Sequence, residues 1–502
     1  MSEYAPGAEK AFAQARACYE ETEAWLAGQE AAALTHAGLE DHLQARGREL
    51  LRRLFQDHLE LRAAREQRRT DVAGPDGAPR TRTETGHARP LATVFGPVTV
   101  SRMAYRAPGV PNVHPADAEL NLPEERHSHG LRRLAAVESA RGSHEDAAAA
   151  ITRVTGVTIG KRQVEELARR AAAGIDRFYA GRRPAPCDDG VALVLQADGK
   201  GIVMLPGALR PATAKAAAAG KNKLATRLSP GEKRGRKRMA EIAAVYDCKP
   251  VPRTPADVIT PPGKDKKKNK QPGPNAAGKW LTASVTDDIA AVISDAFDEA
   301  ERRDPQHKRT WVALVDGNNA QIDAMTAETA SRRVTVTIVI DFVHVLEYLW
   351  KAAWSFFEPG DPGAEAWVAD RAAQILQGSA RQVAAGIRRR ATTYGYQGTE
   401  RDGADTCAGY LTAKAPYLDY ATALAKGWPI ATGVIEGACR HLVADRMAIT
   451  GARWGLDGAE AILKLRAVIA NGDFDRYWRY HLRREHERIH HARYRASYAL
   501  AA

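Results

Sequence analysis

The chain has 502 residues, 73 of them Lys or Arg against 61 Asp or Glu, so it carries a net charge of +12 with 44% hydrophobic residues. That length exceeds one simple core and suggests about three domains, the apolar share is that of a chain that folds, and the surplus of cations favours a polyanionic partner. Five scattered cysteines with no CxxC pair speak against a zinc ribbon or a disulfide framework, while the absence of a signal pattern at Met1 and of any uncharged apolar run near the roughly 20 residues of a membrane span predicts a soluble, cytoplasmic protein with no membrane contact.

Residues 7 to 68 read as helices, in which Leu39, Leu43, Leu50, Leu54 and Leu61 recur at steps that keep them on one face. A polar stretch from Asp71 to His87, with Gly74-Pro75-Asp76-Gly77 near its start, reads as a linker. The runs Leu91 to Phe95 and Val98 to Arg106, separated by Gly96-Pro97, predict a β-hairpin. Ser143-His-Glu-Asp146 resembles a capping motif that opens a short helix to about Val154. Gly156 to Gly160 is a tight break, and a second helix starts at Lys161. Two short helices around a glycine turn, the second opening with Lys161, Arg162 and Gln163, predict a helix-turn-helix whose opening residues contact DNA.

From Val191 the period changes to strands, at 191–198, 239–247 and 279–285. A helix (about 288–303), a strand ending at Asp316, a helix (about 318–331), the strand Val334 to Asp341 and a helix from Phe342 follow. This β-β-β-α-β-α-β-α order predicts a mixed α+β fold, a five-stranded mixed sheet with helices on its faces, as in ribonuclease H-like catalytic cores. Two basic stretches interrupt it. One holds Lys221, Lys223, Arg227 and the cluster Lys233, Arg234, Arg236, Lys237 and Arg238; the other runs from Lys264 to Lys270. Both are expected to attract phosphate without sequence preference. Residues 345 to 430 read as all-helical, with the aromatics Tyr348, Trp350, Trp354, Phe356 and Phe357 expected in its core. The end, Tyr477 to His491, is a basic segment with His481, His486, His490 and His491, read as a solvated helix in preference to a metal site.

The chemistry lies in three acids. Asp198 and Asp316 each close an apolar run and precede a glycine, which would let the chain turn and bare the carboxylate. Glu436 sits between Gly433 and Gly437 near a helix start, ahead of Arg440 and His441, either of which could touch a phosphate or pair with an acid. Carboxylates so placed can converge on two Mg2+ or Mn2+ ions, the arrangement that phosphoryl transfer uses to steady attacking and leaving oxygens. Two alternatives stay open. Asp341, with His344 one turn on, competes with Asp316, and Asp445 or Glu460 with Glu436.

These stretches resemble bacterial insertion-sequence DDE transposases of the ISKra type, whose catalytic region is related to the Mutator-like group. The likeness lies in Ala197 to Met204, Val312 to Asn319, Ile338 to Trp350, Gly433 to His441 and Ile449 to Gly455, and runs from the hairpin to about residue 494. The resemblance implies an Asp198, Asp316, Glu436 triad, an Asp-x-x-His signature at Asp341 and His344, and terminal inverted repeats bound by the helix-turn-helix.

The expected layout is a helical region and linker (1–85), a hairpin with helix-turn-helix (86–185), the first part of the core (186–345), an all-α insertion (346–430), the closing catalytic helix (431–475) and a basic tail (476–502). The expected function is a nucleoid-associated DNA transposase, acting as a homodimer or larger on double-stranded DNA, both the element's ends and the target. A structure-selective nuclease of the same fold and a catalytically silent DNA-binding regulator are the rival readings.

Overall fold

The computed structural model describes residues 11–219, 224, 229, 236–260, 270–449 and 451–491. They form two compact units, one of Met1–Ile175 with Asp473–Ala502, the other of Asp176–Gly472.

In the first unit, α1 (Ala13–Leu26) packs on α2 (His36–Arg65), and α2 on the hairpin β1 (Arg82–Thr93) and β2 (Gly96–Arg106). The leucine stripe expected of α2 does not become its core. Leu43 and Leu54 are exposed, whereas Leu59 is buried against Leu91, Val98 and Val100. Asp57 is buried because its carboxylate accepts the Ala15 N–H in the first turn of α1, at 3.0 Å. β1 begins at Arg82, inside the stretch expected as linker.

Next come α3 (His129–Arg141), α4 (His144–Thr155) and α5 (Lys161–Ala172), packed around Leu131, Ala135, Ile151, Val164 and Leu167. α4 opens with the expected capping box of Ser143 and Asp146 and ends at Gly156, φ +72°, so the turn between α4 and α5 falls where the glycines put it. The helix Phe474–His486 belongs to this unit. His481 faces the buried Arg132, and His486 and His490 meet the carbonyls of Ala118 and Leu122 at 3.1 and 3.0 Å. These imidazoles pin this segment to the unit, where a solvated helix had been expected.

The second unit holds a five-stranded sheet in the order β5-β4-β3-β6-β7, with β3 (Ala192–Val203), β4 (Lys237–Cys248), β5 (Ala276–Ser284), β6 (Trp311–Val315) and β7 (Val336–Ile340). β4 runs antiparallel to β3 and β5, and β3, β6 and β7 run parallel. Ala192 to Ala197 and Trp311 to Val315 are buried without a break, so both sheet faces are covered. Helices α6 (Ile289–Arg303) and α7 (Asn319–Arg332) link β5, β6 and β7, and α8 (Phe342–Ala353) leaves β7. The insertion is helical as expected: α9 (Pro362–Leu376), α10 (Ala380–Thr393), α11 (Thr399–Lys414) and α12 (Tyr420–Ala425). Its aromatics are less buried than expected, with Trp354 about half exposed. The chain then returns through α13 (Gly433–Ala438), a wide π turn from Cys439 to Ala444, and α14 (Leu456–Ala470), which packs on β5. Among the described residues no helix is long and apolar enough to cross a membrane.

Candidate active site

Strand register aligns three aspartates at neighbouring strand ends. The β3–β6 ladder ends at Gln196 opposite Leu314, and the β6–β7 ladder at Val315 opposite Ile340. Carried on residue by residue, these registers set Asp198 level with Asp316, and Asp316 level with Asp341. Three aspartates thus share one rung just past the carboxyl ends of the parallel ladder, where open α/β sheets present their ligands.

Their surroundings differ. Asp198 does not end its strand, as its run of apolar residues had suggested. β3 continues to Val203 because Gly199, Lys200 and Gly201 go on pairing with β4, and Gly199 has no positive φ. Asp316 does end its strand, and Gly317 turns the chain at φ +94°. Its Oδ1 accepts the Asn318 N–H at 2.7 Å, and its carbonyl accepts the Tyr410 hydroxyl from α11 at 3.3 Å. Both Asp198 and Asp316 are half-buried.

Asp341 is fully buried and caps α8. Oδ1 accepts the Val343 N–H at 2.8 Å; Oδ2 accepts the Thr432 hydroxyl and lies 3.5 Å from His344 Nδ1. Burial pushes this carboxyl up, but His344, Thr432 and the Val343 amide together hold it below its ordinary value. The Asp341 carboxylate in turn raises the His344 imidazole, against the effect of burial.

Glu436 is exposed on α13, 3.5 Å from the same Thr432 hydroxyl. Two contacts tie this helix to β3. The Ile435 N–H donates to Gln196 Oε1 at 2.9 Å, and the Cys439 thiol donates to Asp198 Oδ2 at 3.2 Å. Burial, and then the charge of Asp198, push the Cys439 thiol well up, so it stays protonated and remains a donor. Both rivals for the place of Glu436 are engaged by other groups. Glu460 accepts the Val285 and Thr286 N–H groups and the Ser284 hydroxyl, and Asp445 pairs with His441 at 3.0 Å and Arg440 at 4.0 Å. Arg440 and His441 are thus exposed partners of an acid.

Asp198, Asp316 and Glu436 are oxygen donors, at least partly open and free of ion pairs among the described residues, which suits a hard divalent cation. Among the described residues, no three His, Cys, Asp or Glu side chains stand close enough together to hold a metal ion. The donor set fits such an ion in kind.

Of the residues expected on DNA, Lys161 and Arg162 are exposed at the start of α5. Gln163 turns back to accept the Gly160 N–H at 3.1 Å and serves as a cap. Arg236 and Lys237 lie at the start of β4, and Arg238 spends its guanidinium on the carbonyls of Val285, Ala208 and Thr286. Lys233 and Arg234 lie outside the described residues, as do Lys221, Lys223, Arg227 and the stretch from Lys264 to Asn269.

Sequence reasoning missed Gln196, Thr432, Cys439 and Tyr410. Gln196 had a signal, as the one polar residue inside the apolar run from Val191 to Ala197. Cys439, one turn after Glu436, had a faint one; Tyr410 had none.

No protein-family model matches this chain, and no curated protein does. Among solved structures it is similar to the Drosophila P element transposase strand transfer complex, at 9% identity over 70% of this chain and 79% of that chain, with a TM-score of 0.23. At that score the likeness carries no argument for the chemistry, which has to come from the carboxylates themselves.

Proposed function

We propose that this chain is a DNA transposase that cleaves and joins strands at Asp198, Asp316 and Glu436. The observation that carries the reading is the parallel pairing of β3 with β6, which ends two residues short of both Asp198 and Asp316, with the helix of Glu436 tied to the Asp198 strand through Gln196 and Cys439. The strand order, with only the second strand reversed, supports a ribonuclease H-like core.

In this reading Asp198, Asp316 and Glu436 hold two Mg2+ or Mn2+ ions. Bound there, the metal supplies charge neutralisation at the phosphate and a more acidic water. The protein's own groups orient the ligands. The Asn318 amide holds one oxygen of Asp316, the Cys439 thiol holds Asp198, and the Thr432 hydroxyl holds Asp341 with its oxygen 3.5 Å from Glu436. Asp341, buried and bonded to the Val343 amide and the Thr432 hydroxyl, positions Thr432 and His344 in this reading and is not itself a ligand. The DNA partners are the element's terminal inverted repeats and a target duplex, the repeats read through α5. Bringing two ends together calls for a dimer or larger assembly.

The test is purified protein with Mg2+ and a labelled duplex carrying its element's terminal repeat, beside scrambled DNA. Repeat-specific nicking followed by strand joining is expected, abolished in Asp198→Asn while DNA binding stays nearly intact. Cutting without joining or sequence preference would make the protein a structure-selective nuclease. Metal-independent repeat binding without cutting would make it a regulator.

A further inference from the structure

The paired ends of β3 and β4 run on past the acids, from Asp198 to Val203 and from Lys237 to Ile242. Facing them is the segment from Val443 to Arg453. Trp454 clamps it to β3: its carbonyl accepts the Leu205 N–H at 2.8 Å, and its own N–H donates to Val203 at 3.1 Å. The Trp454 indole donates to the Met447 carbonyl at 3.1 Å, with the Arg446 guanidinium 4.7 Å from its ring.

Between these walls lies a cleft of about 450 Å3. Lys200, Arg236, Lys237 and Arg453 line it and no acid among the described residues does, over an apolar floor that includes the buried Ile202, Val443 and Met447. None of the four cations has an ion pair among the described residues, and none is shown with any other polar partner there. Unpaired charges of one sign gathered on a concave wall repel one another, and a polyanion relieves that repulsion. Strand alternation puts Lys200 on the same face as Asp198, two residues earlier, and Lys237, which pairs with Val203, on the other. The nearest acid on the ladder, Glu241, pairs with Gly199 at the end of the cleft that faces Asp198.

We propose that this cleft binds a single strand of nucleic acid, with phosphates on Lys200, Arg236 and Arg453 and a base or sugar against the apolar floor. Positive walls with an apolar platform are how single strands are held without sequence preference. At about 450 Å3 the space sits in the range of small-ligand pockets, enough for roughly one nucleotide at a time and too little for a duplex. This rests on the reading of Asp198, Asp316 and Glu436 as the cleavage site, since the strand in the cleft is then the one leading away from the cut phosphate.

The experiment uses the full chain in EDTA with a short labelled single-stranded oligonucleotide, titrated at several salt concentrations. In the Lys200→Ala, Arg453→Ala double variant, two lost phosphate contacts should lower the slope of log K against log salt by about 1.4. Between about 50 and 200 mM salt the double variant should then lose roughly sevenfold less affinity than the parent. Melting should be unchanged, because both side chains are exposed. A benzophenone side chain at Ile449, an exposed residue of the cleft, should crosslink to the oligonucleotide. An unchanged salt slope, or no crosslink, overturns the proposal. So does competition by dAMP as strong as by the unlabelled strand, which would make this a mononucleotide pocket. Failure of metal-dependent cutting with the slope change intact would sink the catalytic reading and leave the cleft standing.

Discussion

Gln196 accepts the backbone N–H of Ile435 at 2.9 Å, across a separation of 239 residues. Its other end donates to the Tyr246 hydroxyl at 2.9 Å, and the side chain is wholly buried. One amide therefore joins two strands of the sheet to the first turn of the Glu436 helix. Gln196→Leu should leave the Ile435 amide and the Tyr246 hydroxyl unpaired, at about 1–3 kcal/mol for each group left without a partner. Urea denaturation should show that loss, and the repeat-cutting assay a larger fall in cutting than in DNA binding. Wild-type cutting from Gln196→Leu would mean the helix is positioned by other contacts.

Asp341 and His344 set a pH window. The Asp341 carboxylate raises the His344 imidazole above its ordinary value of 6.5, so the pair's contribution is complete below that value and fades as pH climbs through the raised midpoint. Although burial opposes it, the contacts from His344, Thr432 and Val343 hold Asp341 below 3.8, so its contribution is present above that pH and fades as pH falls through the lowered midpoint. The stability gap between wild type and His344→Gln should be widest from about pH 4 to about pH 6.5 and narrow on either side. An NMR titration should find His344 above 6.5 and see its midpoint drop in Asp341→Asn.

The two aspartates that compete for one role should separate by stability. Asp341 loses a helix cap and the partners of both its oxygens on truncation, so Asp341→Ala should cost roughly 2–3 kcal/mol. Asp316 keeps a single amide contact at its side chain and is half exposed, so Asp316→Asn should stay within about 0.5 kcal/mol of wild type while cutting disappears. Equal melting of the two variants would remove the structural role assigned to Asp341.

The opening residues of α5 divide by task. Lys161→Ala and Arg162→Ala should each weaken duplex binding and reduce the salt slope by about 0.9 without altering melting. Gln163 is a cap, so Gln163→Ala should lower stability by roughly 0.5–1 kcal/mol and leave the salt slope as it was. A slope change in Gln163→Ala would give it a place on the DNA.

The sheet was legible because continuous runs such as Trp311 to Val315 have one reading, a strand buried on both faces, and the elements follow one another in a recognisable order. The length of β3 was not. Gly199, Lys200 and Gly201 have little strand preference of their own and are held extended by their antiparallel partners on β4. The leucines of α2 misled for a related reason, since a helix between two partners buries what each partner touches, including a carboxylate. The contacts that place Glu436 join residues 239 and 241 positions apart, and no local pattern announces such a pairing.

The two Asp-Gly dipeptides look alike in sequence and should respond differently to a methyl group. At Gly317, φ is +94°, and a Cβ would stand 2.6 Å from the Tyr410 hydroxyl and 3.4 Å from Ile340. Tyr410 has little room to yield, because it bonds the Asp316 carbonyl and stacks on Tyr348 with ring centres 3.8 Å apart. Gly317→Ala should therefore cost about 1–3 kcal/mol and shift Asp316 enough to depress cutting. At Gly199 the backbone has no positive φ, and the nearest atoms are the far ends of Glu241 and Met239, at 2.8 and 2.9 Å, which can swing away. Gly199→Ala should stay within about 1 kcal/mol of wild type. In a double-mutant cycle, Tyr410→Ala should recover part of the Gly317→Ala loss and none of the Gly199→Ala loss. Recovery at both glycines would mean that Tyr410 acts on the whole rung of aspartates and not through Gly317.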